Sequence, residues 1–205
     1  ELRQRLPTVR EVHVMPNAAT MDLGDRKKNI RRMAPKTAEI LREAIINQQC
    51  DPIRIALGCG EMMHAVIEQF LEDLKADSAL QEHMSTRKIL VLPTTVFSED
   101  RIGPGFSHAP SVLCASLAAS VRALFAGKLK VEAWVPQLPA GFHARTTSKE
   151  EQKKVLELVG YDEFLRELRN LDIYCGSLGI AKGNPQYEGA VLQAIGETGL
   201  PDHIT

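Results

Sequence analysis

Two short runs, Ile53-Arg54-Ile55-Ala56-Leu57 and Lys88-Ile89-Leu90-Val91-Leu92-Pro93, are apolar at nearly every position instead of alternating with polar residues. A strand covered on both faces has no polar side to show, so these runs predict central strands of a parallel sheet. Between them, residues 61–75 space Met62, Val66, Phe70, Ile67, Leu71 and Leu74 at three- and four-residue intervals and leave Glu68, Glu72, Asp73 and Lys75 outside. That period is the signature of an amphipathic crossover helix.

The same pattern recurs along the chain. Strands are predicted at residues 12–15, 131–135 and 173–175. A helix over 35–48 is expected to bury Ile40, Leu41, Ala44 and Ile45. Another over 110–125 is almost uncharged, and its Ser111, Ala115, Ser116, Ala118, Ala119 and Ser120 allow close approach to a sheet. Ser148 followed by Glu151 predicts a capping box for a helix through Val159, ended by Gly160, with a second helix over 161–171. Strands alternating with helices predict an α/β fold with a mostly parallel sheet flanked by helices. Neither a repeat nor a flexible linker divides the sequence, so residues 1–205 are read as a single domain.

Charge narrows the partners. Twenty-five Lys and Arg against 26 Asp and Glu give a net charge of -1, without the positive excess that drives binding to a phosphate backbone. The basic stretch Arg26, Lys27, Lys28, Arg31 and Arg32 reads as solvated charge around a connection. Contact with DNA is therefore expected only through a segment absent from this sequence, which begins at Glu1. No apolar run reaches the ~20 residues that span a bilayer, and no secretory layout opens the chain; the expectation is a cytoplasmic protein with no membrane partner. Cys50, Cys59, Cys114 and Cys175 form no C-x-x-C pair and are expected to be reduced thiols. No histidine is read as having a ligating partner at helical spacing, so no metal and no cofactor are expected. His64 is read as a solvent-facing helix residue, with His108 and His143 the better ligand candidates.

The most informative local feature is Ile55-Ala56-Leu57-Gly58-Cys59-Gly60-Glu61-Met62-Met63-His64, a strand running through a Gly-x-Gly turn into a helix. The turn lets a backbone approach a ligand, and a helix start offers unpaired N–H groups to an anion. A dinucleotide fingerprint would need glycine in place of Met63 and an acid closing the next strand, where Leu92-Pro93-Thr94 stands instead. A phosphate-binding Gly-Lys-Ser/Thr is absent too. Two more polar loops follow predicted strands, one from Pro93 through Thr94, Thr95 and Arg101 to His108, the other from Gly176 through Ser177 and Lys182. Together the three loops predict a ligand site made by Gly58, Cys59, Gly60, Glu61, Met62, Thr94, Thr95, Arg101, Ser177 and Lys182.

With these segments placed, the chain resembles the effector-binding domain of SorC-type sugar-binding transcriptional regulators over most of its length. The resemblance is carried by Glu1-Leu2-Arg3-Gln4-Arg5-Leu6 leading into Glu11-Val12-His13-Val14-Met15-Pro16, by Leu57-Gly58-Cys59-Gly60, by Leu92-Pro93 with the small-residue helix from Ala115 to Ala119, and by Leu171-Asp172-Ile173-Tyr174-Cys175-Gly176-Ser177-Leu178-Gly179. It implies the fold shared by ribose-5-phosphate isomerase and glucosamine-6-phosphate deaminase, a sugar or sugar-phosphate effector, and a homo-oligomer. Gly58 to Met62 would then form the phosphate-side loop. This chain departs from the family in carrying Met62 and Met63 where a serine or threonine hydroxyl is usual, acidic Glu61 beside them, and His108 in the region of a usual asparagine. The alternative is a sugar-phosphate isomerase or deaminase, which would need a carboxylate base. Glu99, Asp100 and Asp172 are the candidates for that base, but the motifs of those enzymes do not occur, so no catalytic residue is assigned and a non-enzymatic sensor is expected.

Overall fold

The computed structural model describes residues 23–95, 108–139 and 148–176. Its elements are α1 (Leu23–Asn47), β1 (Ile53–Leu57), α2 (Glu61–Ala76), α3 (Ser78–Ser85), β2 (Lys88–Pro93), α4 (Pro110–Phe125), β3 (Lys130–Ala133), α5 (Lys149–Leu158), α6 (Tyr161–Arg169) and β4 (Ile173–Cys175). The strands form one sheet in the order β3-β2-β1-β4, and every pairing is parallel. The two apolar runs are its central strands, with Ile53 opposite Ile89 and Leu57 opposite Pro93. The predicted strand at 12–15 lies outside the described residues.

Side-chain alternation divides the sheet between two cores. Ile53, Ile55 and Leu57 of β1, Ile89 and Val91 of β2, Val131 of β3 and Cys175 of β4 face a large cluster completed by α1, α2, α3 and α4. Leu90 and Leu92 face the other way and meet Phe164 of α6, with Trp134, Tyr161, Leu168 and Leu171 around them. Helices thus cover both faces, unequally. α5 buries no residue, and its Leu158 is 87% exposed.

α2 follows its pattern, burying Met63, Val66, Ile67, Phe70 and Leu74. Immediately after it comes α3, which the sequence reading lacked. Asp77 makes this junction: its N–H donates to Asp73 O at 2.9 Å, ending α2, while its Oδ1 accepts from Leu80 N at 3.0 Å, starting α3. Its other oxygen takes Arg42 Nη1 at 3.0 Å and ties the junction to α1. One aspartate serving two helices leaves no loop-like composition to betray the break.

The largest correction concerns α1. A helix over 35–48 puts Pro35 at its first position, where proline is favoured. The helix instead starts at Leu23 and runs through Pro35, so the basic stretch is helical, not a connection. An interior proline costs about 3 kcal/mol through its missing N–H and its clash with the preceding turn. The cost is tolerable here because Pro35 is on the exposed side, while Ala34 and Ala38, 4% and 0% exposed, pack into the core on the other. Ile40, expected to be buried, is 37% exposed because Leu41 and Ile45 take the inward positions. β3 is shorter than its predicted 131–135, although Trp134 N still donates to Val91 O at 3.0 Å. Among the described residues, no helix is long and apolar enough to cross a membrane.

Phe164 is 1% exposed and is α6's one buried residue, so Phe164→Ala is expected to cost about 3–5 kcal/mol in urea unfolding. Leu158→Ala, at an exposed site, should stay within about 0.5 kcal/mol of wild type.

The capping box on α5 forms as its sequence predicts, with Ser148 Oγ 2.6 Å from Glu151 Oε2 and 3.3 Å from Glu151 N. The hydrogen bonds from Ser148 hold the Glu151 carboxyl below its ordinary value of 4.5. A lowered folded-state value stabilises the helix above the ordinary value, and that stabilisation disappears as pH falls through the lowered one. Circular dichroism should therefore show α5 fraying on acidification below that range, and Ser148→Ala should remove this part of the pH dependence.

Candidate functional site

β1 lies between β2 and β4, so the chain leaves its C-terminal end at the place where the strand order reverses direction. In open parallel sheets ligands bind beyond the carboxyl ends of the strands at such a point; here the described helices that follow β1 and β2, α2 and α4, both pack on the main-core face. Here β1 is followed by Gly58-Cys59-Gly60 and α2, β2 by Thr94 and Thr95, and β4 by Gly176. The three strands predicted to deliver loops to one edge are therefore adjacent.

Hydrogen bonds lock this edge. Thr94 N donates to Leu57 O at 3.0 Å on one side of β1, and Gly58 N donates to Cys175 O at 2.8 Å on the other. Gly60 N donates to His108 O at 3.0 Å, which brings the start of α4 beside the start of α2. The N–H groups of Gly58 and Gly60 are thus already committed within the protein, which leaves the start of α2 as the source of free donors. What the turn supplies is position. Gly60 has φ 104°, a value that L side chains rarely adopt, and its carbonyl accepts from His64 N at 3.1 Å as α2 begins. The amides of Met62 and Met63, in the first turn of α2, have no backbone partner among the described residues.

Neither α2 nor α4 has a side-chain cap at its N-terminus. Both are sixteen residues long, so two positive helix ends meet at one edge of the sheet. Pro110 and Ser111 form the first turn of α4. Ser111 is 5% exposed, and its Oγ is buried without a hydrogen-bond partner among the described residues. A buried hydroxyl left unsatisfied costs about 1–3 kcal/mol, which makes Ser111 the most informative group that sequence reading missed. In the sequence it is one small residue among many.

His64, with its side chain 43% exposed, has ring and acidic neighbours besides solvent. The rings of His64 and His108 meet edge to face with centroids 4.8 Å apart, so His64 lies against the start of α4. Its Nδ1 is 3.5 Å from Glu68 Oε2, an i, i+4 acidic partner that the reading of the sequence overlooked. Among the described residues, no group of three or more His, Cys, Asp or Glu could hold a metal ion.

The predicted site residues fall into three sets. Gly58, Cys59, Gly60, Thr94 and Thr95 lie together at the strand ends. Glu61 is exposed in the first turn of α2, while Met62 is partly buried against the main core. Arg101, Ser177 and Lys182 lie outside the described residues, as do Glu99, Asp100 and His143. Asp172 precedes β4, and its Oδ2 accepts from Arg54 N at 2.8 Å. It therefore belongs to the opposite end of the strands and is no base for a strand-end pocket. Gly176 leaves β4 under the ring of Tyr174, whose hydroxyl would lie 2.5 Å from an added Cβ.

The four cysteines are free thiols. Burial raises the Cys59 thiol above its ordinary value and pushes Cys175 up to about 11; Cys114 is raised further by the same cause. Cys175 Sγ lies 4.0 Å from Met63 Sδ, inside the core.

Comparison with known proteins returns no matching family model, no matching curated protein and no matching solved structure.

Only thiolate reacts with alkylating agents at an appreciable rate. Iodoacetamide at neutral pH is accordingly expected to modify Cys50 and Cys59 slowly in the folded protein and to reach Cys114 and Cys175 only after unfolding, as read by peptide mass spectrometry.

Proposed function

We propose that this chain is the ligand-sensing domain of a bacterial transcriptional regulator of the SorC type, taking a sugar or sugar phosphate as effector at the C-terminal ends of β1, β2 and β4. The carrying observation is the meeting of two uncapped helix starts beyond the C-terminal ends of a parallel sheet, one of them holding the Ser111 hydroxyl, buried without a partner among the described residues. Helix starts attract the oxygens of a polyol or phosphate, and Thr94, Thr95 and His108 add polar groups nearby. The reading requires an α/β domain with a parallel sheet flanked by helices, and the order β3-β2-β1-β4 is all-parallel.

In this reading Glu61 sets the selectivity. An acid in the first turn stabilises α2 through its dipole but opposes a phosphate placed at the same end, so a phosphorylated effector needs an opposing cation, for which Lys182 and Arg101 are the sequence candidates. Of the three carboxylates that the enzymatic alternative could use as a base, Asp172 is held at the other end of the strands by Arg54 N, which leaves that alternative to Glu99 and Asp100. The reading further assigns a cytoplasmic, homo-oligomeric protein that reaches DNA through a separate segment.

A thermal-shift screen of sugars and sugar phosphates tests this reading. A binding compound should raise the unfolding temperature and slow alkylation of Cys59. Ser111→Ala should leave the stability of the free protein unchanged or slightly higher, since it removes an unsatisfied hydroxyl, and should weaken that compound about tenfold by calorimetry. Undiminished affinity in Ser111→Ala, with Cys59 unprotected, would refute the strand-end site. Lys182→Ala should weaken a phosphorylated ligand more than a neutral one.

A further inference from the structure

The second face of the sheet carries a cleft remote from the strand ends. Register sets Arg54 of β1 beside Leu90 of β2, and Leu90 beside Glu132 of β3. A guanidinium, an apolar floor and a carboxylate therefore lie in a row across three strands. Lys88, Trp134 and Glu167 of α6 also line this open groove of about 440 Å³, a volume within the range of small-molecule sites, about 300–1,000 Å³.

The charges in this cleft cancel. Arg54 Nε donates to Glu167 Oε2, and Lys88 Nζ is 2.7 Å from Glu132 Oε2. Two cations and two carboxylates offer no net attraction to an ion, and a phosphate would face both acids. Each pair nevertheless keeps hydrogen-bonding capacity: every carboxylate has a second oxygen, Lys88 has further N–H donors, and Arg54 uses Nε and Nη1 within the protein, the latter toward Pro52 O at 3.3 Å. Donors and acceptors thus alternate around Leu90 and an indole. An uncharged pyranose matches this arrangement, with C–H faces for the indole and hydroxyls that both donate and accept.

We propose that this cleft is a second binding site, for an uncharged pyranose sugar, with a ring face on Trp134 and Leu90 and hydroxyls bridging the Arg54–Glu167 and Lys88–Glu132 pairs. The proposal is independent of the strand-end reading, and either can fail alone. Trp134 is the chain's single tryptophan, so indole emission reports on this cleft. The experiment titrates the whole chain with the methyl glycosides of glucose, galactose and mannose, following tryptophan emission and the indole N–H resonance. A saturable change with at least one of them is expected, weakened about tenfold by Glu132→Ala and by Lys88→Ala, both surface changes, and unaltered by Ser111→Ala at the other end of the sheet. Silence of both signals with all three sugars would overturn the proposal. So would a response that survives Glu132→Ala and Lys88→Ala, or one abolished by Ser111→Ala.

Discussion

β1 is hydrogen-bonded along both edges and covered on both faces, and the geometry of both candidate sites follows from that confinement. Its edges meet β2 and β4 in parallel register, which ends all three strands at the same side of the sheet. The bonds Thr94 N to Leu57 O and Gly58 N to Cys175 O extend that register one step past the strands. A one-residue slip would exchange the two faces of β1 and put Arg54 into the main core. The site beyond the strand ends and the cleft near their beginnings are thus two ends of one constraint.

The two faces meet burial differently. The main core holds long aliphatic and aromatic side chains from four helices, whereas the second face depends on Phe164 and a few partly buried neighbours. With less apolar cover available, Arg54 and Lys88 remain on this face as paired charges. Arg54 and Glu167 are only 23% and 26% exposed, so removing either partner would strand a partly desolvated charge. Polar chemistry survives next to the sheet because the helical cover is thin there.

At the strand ends the chemistry comes from the starts of helices. The glycine turn spends its Gly58 and Gly60 N–H groups inside the protein and in exchange brings α2 and α4 side by side. The donors left for a ligand belong to the helix starts and to Ser111, and the His64–His108 ring contact spans the same junction. The glycines act as a hinge for assembly more than as a cradle.

Local pattern carried much of this architecture. The apolar runs at β1 and β2, the periodicity of α2, the uncharged α4 and the Ser148–Glu151 capping box are legible because each is decided within one segment by propensity, spacing or a contact three residues away. Pro35 misled for the complementary reason: the helix runs through it with Pro35 on the exposed side and Ala34 and Ala38 in the core, an arrangement that exists only once the core is assembled. The same holds for the junction at Asp77, where Arg42 from another helix completes the cap. The sequence by itself determined the four described strands, most of the described helices and the glycine turn. Only the tertiary structure decided that Gly60 N–H would be spent on His108, that Ser111 would be buried without a partner among the described residues, that Asp172 would face Arg54 at the far end of the strands, and that Arg54, Glu132 and Trp134 would line one open groove. Those outcomes depend on strand order and register, which join residues tens of positions apart through hydrogen bonds and packing that no local pattern encodes.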